Sequence, residues 1–454
     1  MARPAARRAI GAIAATLLLL LLPAPASSQP GAMVGTIARS PVVKRMAKIV
    51  IRKVASAGLS ALKKELRSSN KGGQLGGDAA DDAGIILYNV SVGQQNFSGI
   101  VDIFNDFVWV QCPVNPAAAF SAVPCGSQRC FNALSKTSDD CVDRAGACEY
   151  IYGSTDEGTN STGYLAYETF TVGAGTGIAP ISGSVVFGCS TQNTVKLDGA
   201  IGFSQGPLSI LTQLHVSRFS YFMTPDDSKS SGSISVVLLG DQAVAQTKHS
   251  HSTPLHRSKV FPDLYYVKLT GIKVDGEPLT GIPARAFDIA ADGNSGGVAL
   301  STTIAVTWLQ SDAYYAVKEA LVSKIKSDPV KSSGNNDEGF DLCYNTNSVA
   351  KLNFPKITLV FGGADSPGMD LTTVHYFYKD NVTGLQCLTM MPMPKDYPIG
   401  SILGSMLQAG TNMIYDVGGG QLIFEKAVAA MAPVPPQVPL MPMVSLLLVW
   451  VLLF

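Results

Sequence analysis

The chain has 454 residues, 46% of them hydrophobic and 15% charged, with 44 Gly and 26 Pro. That is length enough for two lobes, and a composition that suits a loop-rich all-β protein rather than a helical or disordered one. The net charge of zero hides an asymmetry: residues 37–71 hold ten Lys/Arg against Glu65 alone, while residues 72–454 carry 21 basic and 33 acidic side chains, a net −12. An acidic body argues against nucleic acid as a partner.

Residues 1–28 read as a secretory signal, with Arg3, Arg7 and Arg8 before the apolar run Ile10 to Leu22 and small residues from Ala24 to Ser28. The run is too short and wrongly flanked to anchor the chain itself. Secretion implies an oxidising compartment in which the eight Cys pair, although eight Cys allow about a hundred pairings and spacing selects none. Residues 29–80 form a basic region and linker. Val43, Met46, Ala47, Val50 and Val54 recur there at helical spacing, which fits a solvated or membrane-surface amphipathic helix and equally a basic prosegment. The Gly-rich stretch from Lys71 to Gly77 then serves as a flexible joint.

From Gly84 to about residue 425, short β-rich runs alternate with Gly, Pro, Asn and Asp. Strands are expected at Ile85–Val92, Ile100–Val110, Tyr164–Val172 and Ser184–Phe187 in the first half. In the second they are expected at Ser233–Leu239, Tyr265–Val274, Gly297–Leu300, Lys356–Phe361 and Asn412–Phe424. Helical pattern is confined to Ser209–Leu214 and Ser311–Ile325. Sequons at Asn89, Asn96, Asn160 and Asn381 mark candidate glycosylation sites, Asn89 falling within an expected strand. The five His (His215, His249, His251, His256, His375) show no metal spacing beyond His249-Ser250-His251, no Ser/His/Asp set is legible, and no Gly-rich nucleotide loop follows a strand. The sequence therefore calls for no metal and no cofactor.

Two motifs carry chemistry. Val101-Asp102-Ile103-Phe104-Asn105-Asp106, with Trp109-Val110-Gln111-Cys112 behind it, resembles the first active-site strand of pepsin-like aspartic proteases. Ile103, Phe104 and Asn105 stand where that family has Thr, Gly and Ser. Gly297-Val298-Ala299-Leu300-Ser301-Thr302-Thr303-Ile304, followed by Trp308-Leu309, resembles the second, with Ser301 at the aspartate position. Each motif is followed by two apolar residues and Gly: Ala200-Ile201-Gly202 and Ile402-Leu403-Gly404. Cys148-Glu149-Tyr150-Ile151-Tyr152-Gly153, Phe187-Gly188-Cys189, Phe219-Ser220-Tyr221 and Asp341-Leu342-Cys343-Tyr344 extend the likeness over roughly residues 84–428. It is greatest to the plant branch typified by nepenthesins and nucellins. Phe222 departs from that branch, which usually has Cys there.

The resemblance implies an all-β, bilobal pepsin-like fold, with two β-barrel lobes (81–222 and 223–428) flanking a central cleft. It makes the basic segment a prosegment of the kind that covers an acidic cleft. It implies the disulfides Cys343–Cys387, Cys125–Cys148 and Cys130–Cys141, which leaves Cys112 and Cys189 as the remaining candidate pair. Tyr152 matches the tyrosine that closes over substrate, a position that also suits a core residue. The family activates water with two carboxylates too close to ionise together. Ser301 can hydrogen-bond a water but cannot take its proton, and Asp102, without a charged neighbour, is expected to titrate as an ordinary carboxyl. Ile103 cannot lock the two loops together, whereas Thr302 can, and Phe104 is expected to direct its benzyl group towards the place of water or substrate. Asp292 and Asp312 lie nine and eleven residues from Ser301, and Asp106 belongs to the family pattern, so none replaces the lost carboxylate.

The expected function is that of a secreted aspartic-protease homologue without catalysis, monomeric, in the apoplast or wall. Its expected ligand is a peptide or protein in the inter-lobe cleft, a cell-wall hydrolase among the candidates. A weak acid endopeptidase and a structural or storage glycoprotein are the alternatives. Residues 429–454 add small residues, a Pro-rich spacer and the apolar tail Met443–Phe454, short of the ~20 residues that span a bilayer. This reads as a GPI-type lipid-anchor signal, against a retained tail anchor or a plain apolar tail.

Overall fold

The computed structural model describes residues 86–113, 120–134, 146–154, 159–173, 180–193, 198–225, 235–330, 340–345, 353–363, 367–380, 384–394 and 397–426. The expected signal, the basic segment, the apolar tail, Cys141 and Asn381 lie outside the described residues, as does the side chain of Asn160.

The first half builds one sheet from β1 (Leu87–Val92), β2 (Gln95–Asp102), β3 (Trp109–Gln111), β4 (Ser121–Ala122), β5 (Glu149–Ser154), β6 (Thr159–Val172), β7 (Ile181–Asn193) and β8 (Gly199–Gly202). Its order is β1-β2-β8-β3-β7-β6-β4, with β5 hairpinned onto β6. β2 runs parallel to β8, setting Asp102 opposite Gly202, while β3 crosses β8 antiparallel with Trp109 opposite Ala200. The second half repeats the device. Gly296–Leu300 runs parallel to Ile399–Leu403, and Trp308 faces Ile402 antiparallel. Two glycines permit the crossings: a Cβ on Gly202 would fall 2.4 Å from the Asp106 carbonyl, and one on Gly404 would fall 2.5 Å from the Ala305 oxygen.

The halves are joined in a ten-stranded sheet where Arg218–Phe222 pairs with Thr411–Asp416. Phe219 stacks on Tyr415 there with ring centroids 4.6 Å apart. The main core continues from β1, β2 and β7 through Phe219 and Tyr415 into Ile357–Phe361 and Gln421–Lys426. The helix Ser311–Lys324 turns Ala313, Tyr314, Val317 and Leu321 into this core, the face its 3.6-residue period predicts.

Three expected strands are divided. Tyr265–Val274 is interrupted at Lys268 into Tyr266–Val267 and Leu269–Val274, which enter different sheets. Ile100–Val110 is broken at Ile103–Val108 by the loop after Asp102, and Asn412–Phe424 is a hairpin turning through Val417–Gly420. The disulfides Cys112–Cys189 and Cys343–Cys387 are formed as expected. The nested pairing is not the implied one: Cys130 bonds to Cys148, and Cys125 is itself disulfide-bonded. The short helix Gln128–Leu134 turns Cys130 inward, where it meets Cys148 in a buried cluster with a Cα separation of 5.8 Å.

Candidate functional site

Asp102 ends β2 at the junction of the lobes and is buried. Both its carboxylate oxygens are engaged. Oδ1 accepts from the Phe104 N–H at 2.9 Å and from Thr303 Oγ1 at 3.4 Å, and Oδ2 accepts from Asn105 Nδ2 at 2.8 Å. Burial raises the Asp102 pKa, and the donations from Asn105, Phe104 and Thr303 oppose that without cancelling it. This corrects the expectation of an ordinary carboxyl: desolvation does here what a second carboxylate does in the family.

Ser301 stands across the junction, fully buried. Its Oγ accepts from the Thr303 and Ile304 N–H groups at 3.2 and 3.1 Å and lies 3.4 Å from Thr303 Oγ1. The hydroxyl thus closes its own turn. Thr302 supplies one half of a reciprocal lock between the loops: its Oγ1 donates to the Val101 carbonyl at 2.7 Å and accepts from the Ile103 N–H at 3.3 Å. Ile103, which cannot return the bond, is fully buried in the main core.

Phe104 departs from expectation. Its ring is 1% exposed and belongs to a cluster whose other members, among them Phe261, Leu264, Tyr266, Ile304, Val306 and Trp308, all come from the second half of the chain. The benzyl group crosses the lobe boundary and is taken up by apolar surface, where burial is worth most to it.

Asp106 accepts from the Leu208 N–H at 3.1 Å, and burial pushes its carboxyl up to about 6, Asp263 of the other half adding to the push. Asp292 and Asp312 are exposed and accept from Asn294 and Gln310 respectively. Tyr152 lies on β5, half-buried, its ring 5.2 Å from Phe107. Behind it the Tyr150 hydroxyl joins Ser161 at 3.0 Å, and Ser161 donates to Ser190 at 2.9 Å. Asn89 and Asn96 are exposed on the β1–β2 hairpin, where Ser91 donates to Asn96 Oδ1 at 2.7 Å. Among the described residues no group of three or more His, Cys, Asp and Glu side chains is placed to hold a metal ion.

Two residues at the junction escaped sequence reasoning. Gln408 Nε2 donates to the carbonyls of Ser301 and Leu403, each at 2.9 Å, while its Oε1 accepts from the Tyr221 hydroxyl. Gln205 bridges the halves: its N–H donates to the Asp263 carbonyl at 2.8 Å, its Nε2 to the Leu264 carbonyl at 3.1 Å, and its Oε1 accepts from Arg257 at 2.8 Å. Both follow the glycine of a crossing element, Gly202 or Gly404, which was the available signal.

Paired lobes, each threading a strand past its active-site loop, define the pepsin-like aspartic protease fold. A sequence model described as xylanase inhibitor N-terminal matches residues 87–241, and one described as xylanase inhibitor C-terminal matches residues 264–426. Nepenthesin-1 of Nepenthes gracilis is 32% identical over 365 residues, covering 76% of this chain and 78% of the relative. Nepenthesin-2 of the same plant is 34% identical over 357 residues, covering 74% and 75%. The chain belongs to the nepenthesin-like plant branch of the pepsin-like aspartic protease family. Soybean basic 7S globulin shares the fold, with a TM-score of 0.57 at 18% identity over 76% of this chain and 92% of its own. So does edgp, with 0.58 at 18% over 77% and 93%.

Proposed function

We propose that this chain is a secreted, non-catalytic member of its family that binds a peptide or protein, with a plant cell-wall hydrolase as the favoured partner class. One observation carries the reading. The carboxylate kept at the family's first catalytic position, Asp102, has both oxygens occupied by protein donors, and the second catalytic position holds a serine whose oxygen accepts from two backbone N–H groups. A serine hydroxyl is no general base at usable pH, and loss of one acid–base partner alone lowers rate by roughly 10²–10⁴-fold. The partner class is supported by the descriptions of the two matching sequence models as xylanase inhibitor domains.

A weak acid endopeptidase is the second reading, favoured by the retained Asp102 with its raised pKa and by Tyr152 on a β-hairpin. Incubation with casein between about pH 3 and 6, with and without pepstatin, separates the two. No cleavage is expected, and pepstatin-sensitive cleavage sinks the non-catalytic reading. Affinity capture of purified xylanases and other wall glycosidases tests the partner. A chain that neither cleaves nor captures any of them returns the storage or structural glycoprotein to first place.

A further inference from the structure

We propose that Phe104 is an intramolecular ligand: its ring fills an apolar recess of the second lobe, pinning the two lobes together and closing that recess to outside groups. The inference is independent of whether the chain cleaves peptides.

Three observations carry it. First, Phe104 sits in the loop after β2, two residues beyond Asp102, yet within its cluster every other side chain belongs to the second half of the chain. Second, the ring is 1% exposed. A side chain reaching out of its own lobe becomes this buried only by entering a recess that fits it. Third, the backbone on either side is tethered, the Phe104 N–H donating to Asp102 Oδ1 and the Ile103 N–H to Thr302 Oγ1. The loop is therefore braced to deliver the ring. The cluster that takes up the ring includes residues that continue the second motif, Ile304, Val306 and Trp308, and Phe261 and Leu264 beside the Gln205 bridge. Emptying it would leave an apolar cavity at the lobe junction, and a cavity of that kind stays dry and accepts a small aromatic molecule.

The test is Phe104→Ala, followed by thermal unfolding with and without saturating benzene. The variant is expected to melt roughly 5–10 °C below the parent, the loss a buried Phe→Ala change produces. Benzene is expected to return about 2 °C or more to the variant and nothing to the parent, because a ligand stabilises only the state that has a site for it. An unchanged melting temperature in the variant overturns the proposal, since the ring would then fill nothing. Equal benzene stabilisation of both proteins overturns it too, since the recess would then be open. If the alanine variant fails to fold, Phe104→Leu with hydrogen exchange decides. Faster exchange is expected in the second-lobe segments 304–309 and 390–393, with β6 and β7 unchanged, and acceleration confined to the first lobe refutes the pinning.

Discussion

Asp106 makes the lobe junction sensitive to acid in a direction opposite to that of most carboxylates. Its carboxyl is pushed up to about 6 by burial, with the nearby Asp263 acting the same way and the Leu208 N–H acting against. In the unfolded chain it titrates near 4. Between about pH 4 and 6 the folded state therefore binds more protons than the unfolded state, and stability falls as pH rises through that window. The penalty is absent below the unfolded value and complete above the folded one. Two pH units at about 1.4 kcal/mol each set a ceiling of about 3 kcal/mol, and residual solvent screening brings the expected effect to about 2 kcal/mol. Asp106→Asn removes the titration while keeping an acceptor for Leu208. Urea unfolding of both proteins at pH 4, 5, 6 and 7 is the assay. The variant should match the parent at pH 4 and exceed it by about 2 kcal/mol at pH 7. Asp102 and Asp263, also raised by burial, remain in both proteins and largely cancel in the difference. A difference that is flat with pH, or a variant weaker at pH 7, refutes the reasoning.

Other outcomes are expected. Ser301→Asp alone should not yield acid proteolysis of casein, because Phe104 and Ile103 still hold the first loop. Recovery should need at least Ile103→Thr, Phe104→Gly, Asn105→Ser and Thr303→Gly as well, and casein cleavage by the single variant would contradict this. Thr302→Val keeps the shape but strands the Val101 carbonyl and Ile103 N–H, at a cost of roughly 2–4 kcal/mol in urea unfolding. Glu425→Ala should cost about as much, since the carboxylate accepts from Gln246 N–H, from Thr247 N–H and Oγ1, and from Asn412 Nδ2 at 2.7–2.9 Å. Phosphatidylinositol-specific phospholipase C should release the mature protein from membranes, and a mass-spectrometric C-terminus at Phe454 would exclude the lipid anchor.

What was legible in the sequence was what the backbone demands. Gly202 and Gly404 are required by strands passing within contact distance, and Trp109 and Trp308 occupy matching registers against Ala200 and Ile402. These needs are local and leave residue-type signatures, and those signatures are part of the family resemblance that implied the fold and the site's address. Side-chain destinations could not. The run from Ile100 to Val110 has no glycine, and although Asn105 and Asp106 are turn formers that could have marked the break, no one-dimensional pattern says which lobe an aromatic ring will enter. The raised pKa of Asp102 was misjudged because charge partners are visible in a sequence and desolvation is not. The cysteine pairing failed for a related reason: which face of the short helix Gln128–Leu134 turns inward, carrying Cys130 to Cys148, is a matter of packing that cysteine spacing does not record.

The substitutions in the two loops share a physical logic. A working carboxylate pair must keep oxygens free for water, which in a buried site means tolerating incomplete hydrogen bonding. Here each replacement supplies a partner or a filling. Asn105 brings an amide to Asp102 Oδ2, and Thr303, where the family has Gly, brings a hydroxyl towards Oδ1. Ser301 caps its own turn, and Phe104 occupies apolar space across the boundary. With one half of the reciprocal threonine lock lost at Ile103, the junction is held by Thr302, the Phe104 ring and the Gln205 bridge. Asn105 and Ser301 thus stiffen their own loops, while Thr302, Phe104 and Gln205 reach from one lobe to the other. On the proposed non-catalytic reading, such a cleft serves as a fixed surface, and partner specificity is expected from its rims rather than from Asp102.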